Sequence, residues 1–361
     1  MTVIKVLVVD DSVFMRNIIS DMISENNNIE IVGRARNGKE AVEMNVQLKP
    51  DVITMDIEMP IMNGLEALKK IMSDRPTKVI MVSSLTKEGA KETIEALNNG
   101  AFDFVPKPSG QISLDIRSVK EDLVSKIYAS VDANLKILKK NMVETEIEKV
   151  KLKKFIKDHD TVSSSKKQKI VLIGISTGGP KALQSVIPQL PEDIDAPILI
   201  VQHMPPKFTK SLADRLDVLS NVRVKEAEDG DKLKKGVVYI APGDYHMIVV
   251  QEGNDKIIRL NQQPPYSGHR PSVNIMFDSA AELYRSNIVA VIMTGMGGDG
   301  AEKLKKIRDY GGRTIGQDKD TCVVYGMPRV AAELGAVEFV EGLEQIPDKI
   351  IYLLKQNIRE E

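Results

Sequence analysis

Over residues 3 to about 105, short apolar runs alternate with segments of helical period. VIKVLVV, IEIVGRA, DVITMD, KVIMVSS and FDFVPK have the length and content of strands. Between the first two, Phe14, Met15, Ile18, Ile19, Met22 and Ile23 recur at the spacing of one helix face. Five such β-α repeats in roughly 120 residues predict a doubly wound parallel sheet. The alternation resumes at Lys169. KIVLIGI, APILIVQH and NIVAVIM are almost continuous apolar runs, the pattern of strands buried on both faces. GVVYIAPG, YHMIVV and KIIRLN read instead as an antiparallel excursion, and no repeat of 20–50 residues is visible.

Between the two regions the pattern fades. From Gln111 to Ile173 there is neither Gly nor Pro, and Asp132 to Lys169 holds eleven Lys against six Asp or Glu. The first part continues the last helix of the leading unit, and HDTVSSSKKQK has the composition of a flexible linker end. Its basic excess suits a solvated helix and hinge; a nucleic-acid or membrane tether is the alternative. The expected division is 1–124 for the first domain, 125–168 for a helical, charged linker and 169–361 for the second domain.

Composition narrows the class. With 361 residues there is room for two cores, and 42% hydrophobic with 28% charged content describes a soluble globular chain. A net charge of −1 argues against a dominant nucleic-acid surface. No run is long enough to span a bilayer, and MTVIKVLVVDD lacks the organisation of a signal peptide. One cysteine, Cys322, allows no internal disulfide and fits a reducing cytoplasm; in DTCVVYG it reads as a small buried hydrophobe.

Chemistry gathers at the strand ends. Asp10 and Asp11 end the first strand, Asp56 the third, Ser83 and Ser84 the fourth, and Lys107 follows the fifth. The carboxyl ends of a parallel sheet lie along one edge, where such folds place ligands. Three carboxylates there repel unless a cation joins them, and an all-oxygen set suits Mg²⁺. A carboxylate beside that metal can attack a phosphoryl donor, with Lys107 and a hydroxyl balancing the added charge. Taken singly, Asp11 or Ser12 could cap the next helix and Lys107 could be a plain loop lysine.

VVDDS, MDIEMPIMNG, MVSS and VPKP resemble, in order and spacing, the motifs of response-regulator receiver domains. That resemblance covers about a third of the chain. It implies Asp56 as phosphoacceptor, Asp10 and Asp11 as Mg²⁺ ligands with Asp56, Ser83 as switch hydroxyl and Lys107 as phosphate contact. The switch aromatic falls on Phe104, which departs from the usual tyrosine by lacking a hydroxyl.

In the second region KIVLIGI runs into Ser176-Thr177-Gly178-Gly179-Pro180, a G-x-S-x-G read from Gly174. Its glycines permit a tight strand-to-helix turn, whose free N–H groups could serve an oxyanion or a phosphate. Of four histidines, His159 lies in the linker, His246 in the excursion and His269 in the loop SGHRPS. His203 alone ends a buried strand on the edge carrying Ser176, as a base or as a simple strand cap. A third strand ends in TGMGGDG, where Asp299 either orients His203 or caps the following helix. Three converging strand ends point to Ser176, His203 and Asp299 as a Ser–His–Asp constellation. Its chain order is not that of the α/β-hydrolases.

GISTGGP, VQHMP, YIAPGDYHM, HRPSVN and MTGMGGDGA resemble the chemotaxis protein-glutamate methylesterase/deamidase family, in order, over nearly all of 170–355. The resemblance implies Ser176 as nucleophile, His203 as base, Asp299 as orienting acid, and backbone N–H groups of Thr177 and Met296 as oxyanion hole. Together the resemblances imply an α/β chain of two doubly wound parallel-sheet domains, an N-terminal flavodoxin-like receiver and a C-terminal Rossmann-like methylesterase domain carrying the antiparallel excursion. The implied activity is hydrolysis of glutamate methyl esters, and deamidation of selected glutamines, on chemoreceptor cytoplasmic helices, under control of a chemotaxis histidine kinase. Mg²⁺ is expected at the receiver and no cofactor for the ester reaction; a cytoplasmic chain without nucleic-acid partner or membrane insertion is expected. Two rivals are a phospho-regulated binding module holding a nucleotide in the STGG and GMGGDG turns, and an adaptor with an idle hydrolase. A DNA-binding output lacks a helix-turn-helix candidate.

Overall fold

A computed structural model describes residues 3–108, 113–131, 133 and 168–356. Most of the expected linker, His159 included, lies outside the described residues.

The first unit alternates β1 (Ile4–Val9), α1 (Val13–Ser24), β2 (Ile29–Ala35), α2 (Gly38–Leu48), β3 (Val52–Asp56), α3 (Gly64–Asp74), β4 (Lys78–Ser83), α4 (Lys87–Asn98), β5 (Asp103–Pro106) and α5 (Ser113–Val131). Its five strands are parallel in the order β2-β1-β3-β4-β5. The apolar runs are buried because helices cover both faces: every residue of β3 is buried. Polar N-caps start the helices, with Ser12, Asn37, Asn63 and Thr86 accepting first-turn amides. Ser12 takes the α1 capping role, which leaves Asp11 free for other work.

The second unit runs β6 (Ile170–Ile175), α6 (Gly179–Val186), β7 (Ile198–Gln202), α7 (Phe208–Leu219), β8 (Arg223–Glu226), β9 (Val237–Ile240), β10 (His246–Glu252), β11 (Asp255–Asn261), α8 (Val273–Tyr284), β12 (Ile288–Ile292), α9 (Ala301–Asp309), β13 (Arg313–Gln317), α10 (Met327–Glu333), β14 (Phe339–Glu341) and α11 (Ile346–Lys355). Seven parallel strands form a sheet in the order β14-β13-β12-β6-β7-β9-β8. The antiparallel excursion is the hairpin β10-β11 alone. GVVYIAPG does not belong to it: β9 pairs in parallel with β7 and β8. Short alternation identifies a strand but not its partner, and the Arg223–Glu226 partner is too polar to stand out in the sequence.

Succession from β6 runs outward through β7, then returns to β12 on the other side. The reversal at β6 opens a crevice at the carboxyl ends, the usual ligand position in such sheets.

The units meet along β5 and α4 of the first and α6 and α7 of the second. Phe104 stacks on Phe208 with ring centroids 4.6 Å apart. Gln184 donates to Asn98 at 2.7 Å and Lys207 to the Leu85 carbonyl at 2.8 Å. Thr177 Oγ1 donates to the buried Asp103 carboxylate at 2.8 Å.

Candidate active site and phosphoacceptor site

At the carboxyl edge of the first sheet, one oxygen each from Asp10, Asp11 and Asp56 lies within 4.8 Å of the others. Asp10 and Asp56 are buried and Asp11 is exposed. Lys107 Nζ donates to Asp56 Oδ2 at 2.7 Å and stands 3.7 Å from Asp10 Oδ2. Burial pushes Asp56 up to about 6, and neighbouring Asp10 adds to this, while Lys107 pulls the other way. Asp10 is raised for the same leading reason. Asp10 Oδ2 is buried without a hydrogen-bond partner. A buried carboxylate oxygen with no hydrogen bond, ion-paired to Lys107 at 3.7 Å and gathered with two more acidic groups, belongs to an all-oxygen set suited to a hard divalent cation, so these residues fit Mg²⁺. The turn depends on Gly64: a Cβ there would fall 2.0 Å from the Asp56 carbonyl oxygen.

Ser83 ends β4 and Phe104 lies on β5; among the described residues neither has a hydrogen bond to the Asp56 carboxylate. Ser83 Oγ donates to the Gly89 carbonyl at 3.1 Å. Phe104 is buried against Phe208, so the aromatic at this position forms part of the contact between units.

The second site forms at the reversal. Ser176 follows β6, its amide donating to the Thr294 carbonyl at 3.0 Å and thereby tying it to the turn after β12. That turn approaches closely because Gly295 has no side chain; a Cβ would stand 2.7 Å from Ser176 Cβ. His203 follows β7, and its amide extends the β6 ladder by donating to the Ile175 carbonyl. Asp299 reaches across from the far side of β6: its Oδ2 lies 2.8 Å from His203 Nε2, with both side chains almost wholly buried.

Asp299 does not cap the helix that follows it. Gly300 occupies that position, and α9 has no side-chain cap. The carboxylate instead meets the N-terminus of α8, where Oδ2 accepts from the Val273 amide at 2.7 Å and Oδ1 from the Asn274 amide at 3.1 Å. Ser272 Oγ donates to Oδ1 at 2.9 Å. Burial alone would raise this acid, but His203 and the two amides outweigh it and hold the carboxyl below its usual range. An ionised Asp299 only accepts, so His203 carries its proton on Nε2. Nδ1, buried and without a protein partner, then holds the free lone pair.

Several neighbours were not singled out in the sequence. Gln202 Nε2 donates to the Ser176 carbonyl at 3.0 Å, and Thr294 Oγ1 to the Thr177 carbonyl at 2.9 Å. His269 lies flat on His203. His246 donates through Nε2 to the Pro264 carbonyl and accepts the Ser272 amide at Nδ1. The Thr177 and Met296 amides carry no backbone–backbone hydrogen bond among the described residues. Cys322 is buried, its thiol pushed well above the usual range by burial and by Asp318, as expected of a packing residue.

The chain matches two family models in tandem: a response regulator receiver domain over residues 6–117 and CheB methylesterase over residues 171–350. Among curated proteins, the protein-glutamate methylesterase/protein-glutamine glutaminase of Geobacillus kaustophilus is 48% identical, covering 98% of this chain and 99% of the relative. The Thermotoga maritima protein of that name is 49% identical with the same coverage. The crystal structure of the Thermotoga maritima CheB methylesterase catalytic domain superposes with TM-score 0.51 and 49% identity, covering 52% of this chain and 99% of that one. With the two matched regions in one chain, and relatives aligned almost end to end, the protein belongs to the CheB methylesterase family in its form headed by a response-regulator receiver.

Proposed function

We propose that this chain is a phosphorylation-controlled hydrolase acting on chemoreceptor cytoplasmic helices, removing glutamate methyl esters and deamidating selected glutamines by a Ser–His–Asp mechanism. The observation that carries the mechanism is the buried His203–Asp299 pair, which leaves the Nδ1 lone pair free at the strand end beside Ser176. Ser176 Oγ attacks the side-chain carbonyl and gives its proton to His203 Nδ1. The developing oxyanion is met by the Thr177 and Met296 amides. Collapse expels methanol, or ammonia from an amide, protonated by His203. Water then attacks the acyl-enzyme with His203 again as base, and glutamate is restored.

The working division is a receiver over 1–124, a linker over 125–168 and a catalytic domain over 169–361. In the receiver Asp56 accepts phosphate from a chemotaxis histidine kinase. Mg²⁺ held by Asp10, Asp11 and Asp56 would neutralise charge on the carboxylates and the phosphoryl oxygens. Lys107 contacts the phosphate, and Ser83 and Phe104 respond to it. Unphosphorylated, the receiver restrains the esterase; the Asp103–Thr177 bond beside Ser176 supports this reading. A cytoplasmic location suits both partners; no helix among the described residues is long and apolar enough to cross a membrane. The test is methanol release from methylated receptor by the full chain with Mg²⁺ and a small phosphodonor. Ser176→Ala should lower turnover by roughly 10⁴-fold or more while phosphorylation at Asp56 and the thermal midpoint stay unchanged. Substantial turnover by that variant would refute the serine mechanism.

A further inference from the structure

We infer that His269 is a positioning residue for the esterase: lying face to face on His203, its flat ring fixes the plane of the base and with it the direction in which Nδ1 points. The inference rests on the Ser–His–Asp reading above.

The two imidazoles are stacked with centroids 3.9 Å apart and planes 7° from parallel. Asp299 supplies only part of this control. Rotation about Cβ–Cγ, a broad torsion in histidine, swings ring atoms in proportion to their distance from that axis. Nε2, across the ring from the attachment, lies nearer the axis than Nδ1. A given rotation therefore disturbs the hydrogen bond at Nε2 less than it displaces the lone pair at Nδ1. A plate against the ring face removes that freedom at small cost.

The plate is itself held. His269 and Tyr266 exchange backbone hydrogen bonds at 3.0 and 3.1 Å. Arg270 Nε donates to Asp244 at 3.0 Å and its Nη1 to the Gln262 and Gln263 carbonyls. His246 takes the Ser272 amide, and Ser272 donates to Asp299. One loop thus sets both the face of the base and one bond of its carboxylate. The charged and titratable groups that act on His269 electrostatically are His203, stacked on it, Asp299 and Lys126. Burial, helped by His203 and Lys126 and opposed by Asp299, lowers His269 to about 4. The ring is therefore neutral near pH 7, and it places no second positive charge against the imidazolium that His203 becomes during turnover.

The decisive comparison uses the full chain with Mg²⁺ and acetyl phosphate in every arm. Two rates are read: methanol release from methylated receptor, and modification of Ser176 by phenylmethanesulfonyl fluoride, which needs the base but not the receptor. For His269→Ala, kcat and the sulfonylation rate should fall together by about tenfold or more while KM stays within about twofold. His269→Phe, flat and uncharged, should recover both to within about threefold; His269→Leu, bulky but not flat, should not. If the alanine variant fails to fold, the phenylalanine–leucine pair decides alone. A raised KM with unchanged sulfonylation would make His269 a substrate contact and overturn the inference, as would equal rates for the phenylalanine and leucine variants. Ser176→Ala and His203→Gln run alongside: if they retain turnover, the Ser–His–Asp reading itself fails. If they lose turnover while His269→Ala does not, only the positioning role fails.

Discussion

Asp299 holds His203 with one bond and the start of α8 with two more, so a change there reaches beyond its proposed catalytic role. In Asp299→Asn an amide replaces a carboxylate surrounded by donors, leaving at least one buried N–H without an acceptor. Urea unfolding should show a loss of about 1–3 kcal/mol on top of the fall in kcat. His269 gives a second residue-scale expectation. Its folded value, about 4, lies below the ordinary 6.5, so between those limits the unfolded chain binds a proton that the folded chain refuses. The stability it contributes is present above pH 6.5 and is lost as pH falls toward 4, at up to about 1.4 kcal/mol per pH unit. His269→Phe should therefore show a smaller drop in thermal midpoint between pH 7 and pH 5 than the parent chain. Ser176, His203 and Asp299 were legible because each ends an apolar run at a glycine- or proline-marked turn. His269, Ser272 and Gln202 were not singled out. The first two sit in or beside an aperiodic loop, and Gln202 reads as one polar residue in a strand.

At the scale of elements, the parallel sheets followed from apolar runs that only two-sided burial explains, as in β3, β6 and β12. Strand partnership did not follow, because β9 joins β7 and β8 through contacts remote in sequence. The carboxyl edge of the first sheet makes its own pH prediction. Burial raises Asp56 to about 6, so in the acid range a proton competes for the oxygens a cation would use. Magnesium titration of the full chain by calorimetry should give unchanged affinity between pH 7 and 8. Below pH 6 the affinity should weaken, approaching about tenfold per pH unit for one displaced proton. Uniform affinity from pH 5 to 8 would show that Asp56 is not a ligand. Helix α5, reaching Val131, passes the expected boundary at residue 124, because nothing after Gln111 breaks it.

For the molecule as a whole, the contact between units joins β5 and α4 of the receiver to the turn and helices that follow Ser176 and His203. Asp103 is buried there between Lys126 of its own unit and Thr177 of the other. Intra-chain interfaces are usually modest, and a few kcal/mol of difference between states would open this one. A fragment beginning near Lys169 should release methanol faster than the unphosphorylated full chain. Asp56→Asn should stay at the low basal rate even with phosphodonor. A fragment no faster than its parent would replace restraint by docking or direct activation.

The Asp103–Thr177 bond ties the receiver to the residue after Ser176, the proposed nucleophile, and the Thr177 amide is the one proposed for the oxyanion. In a chain restrained this way, receptor and receiver compete for one turn, and linkage makes the competition mutual. Crowding such an enzyme with substrate would then do part of the work proposed for phosphate. Under that restraint the gain of the signal would be widest where receptors are sparse and compressed where they cluster.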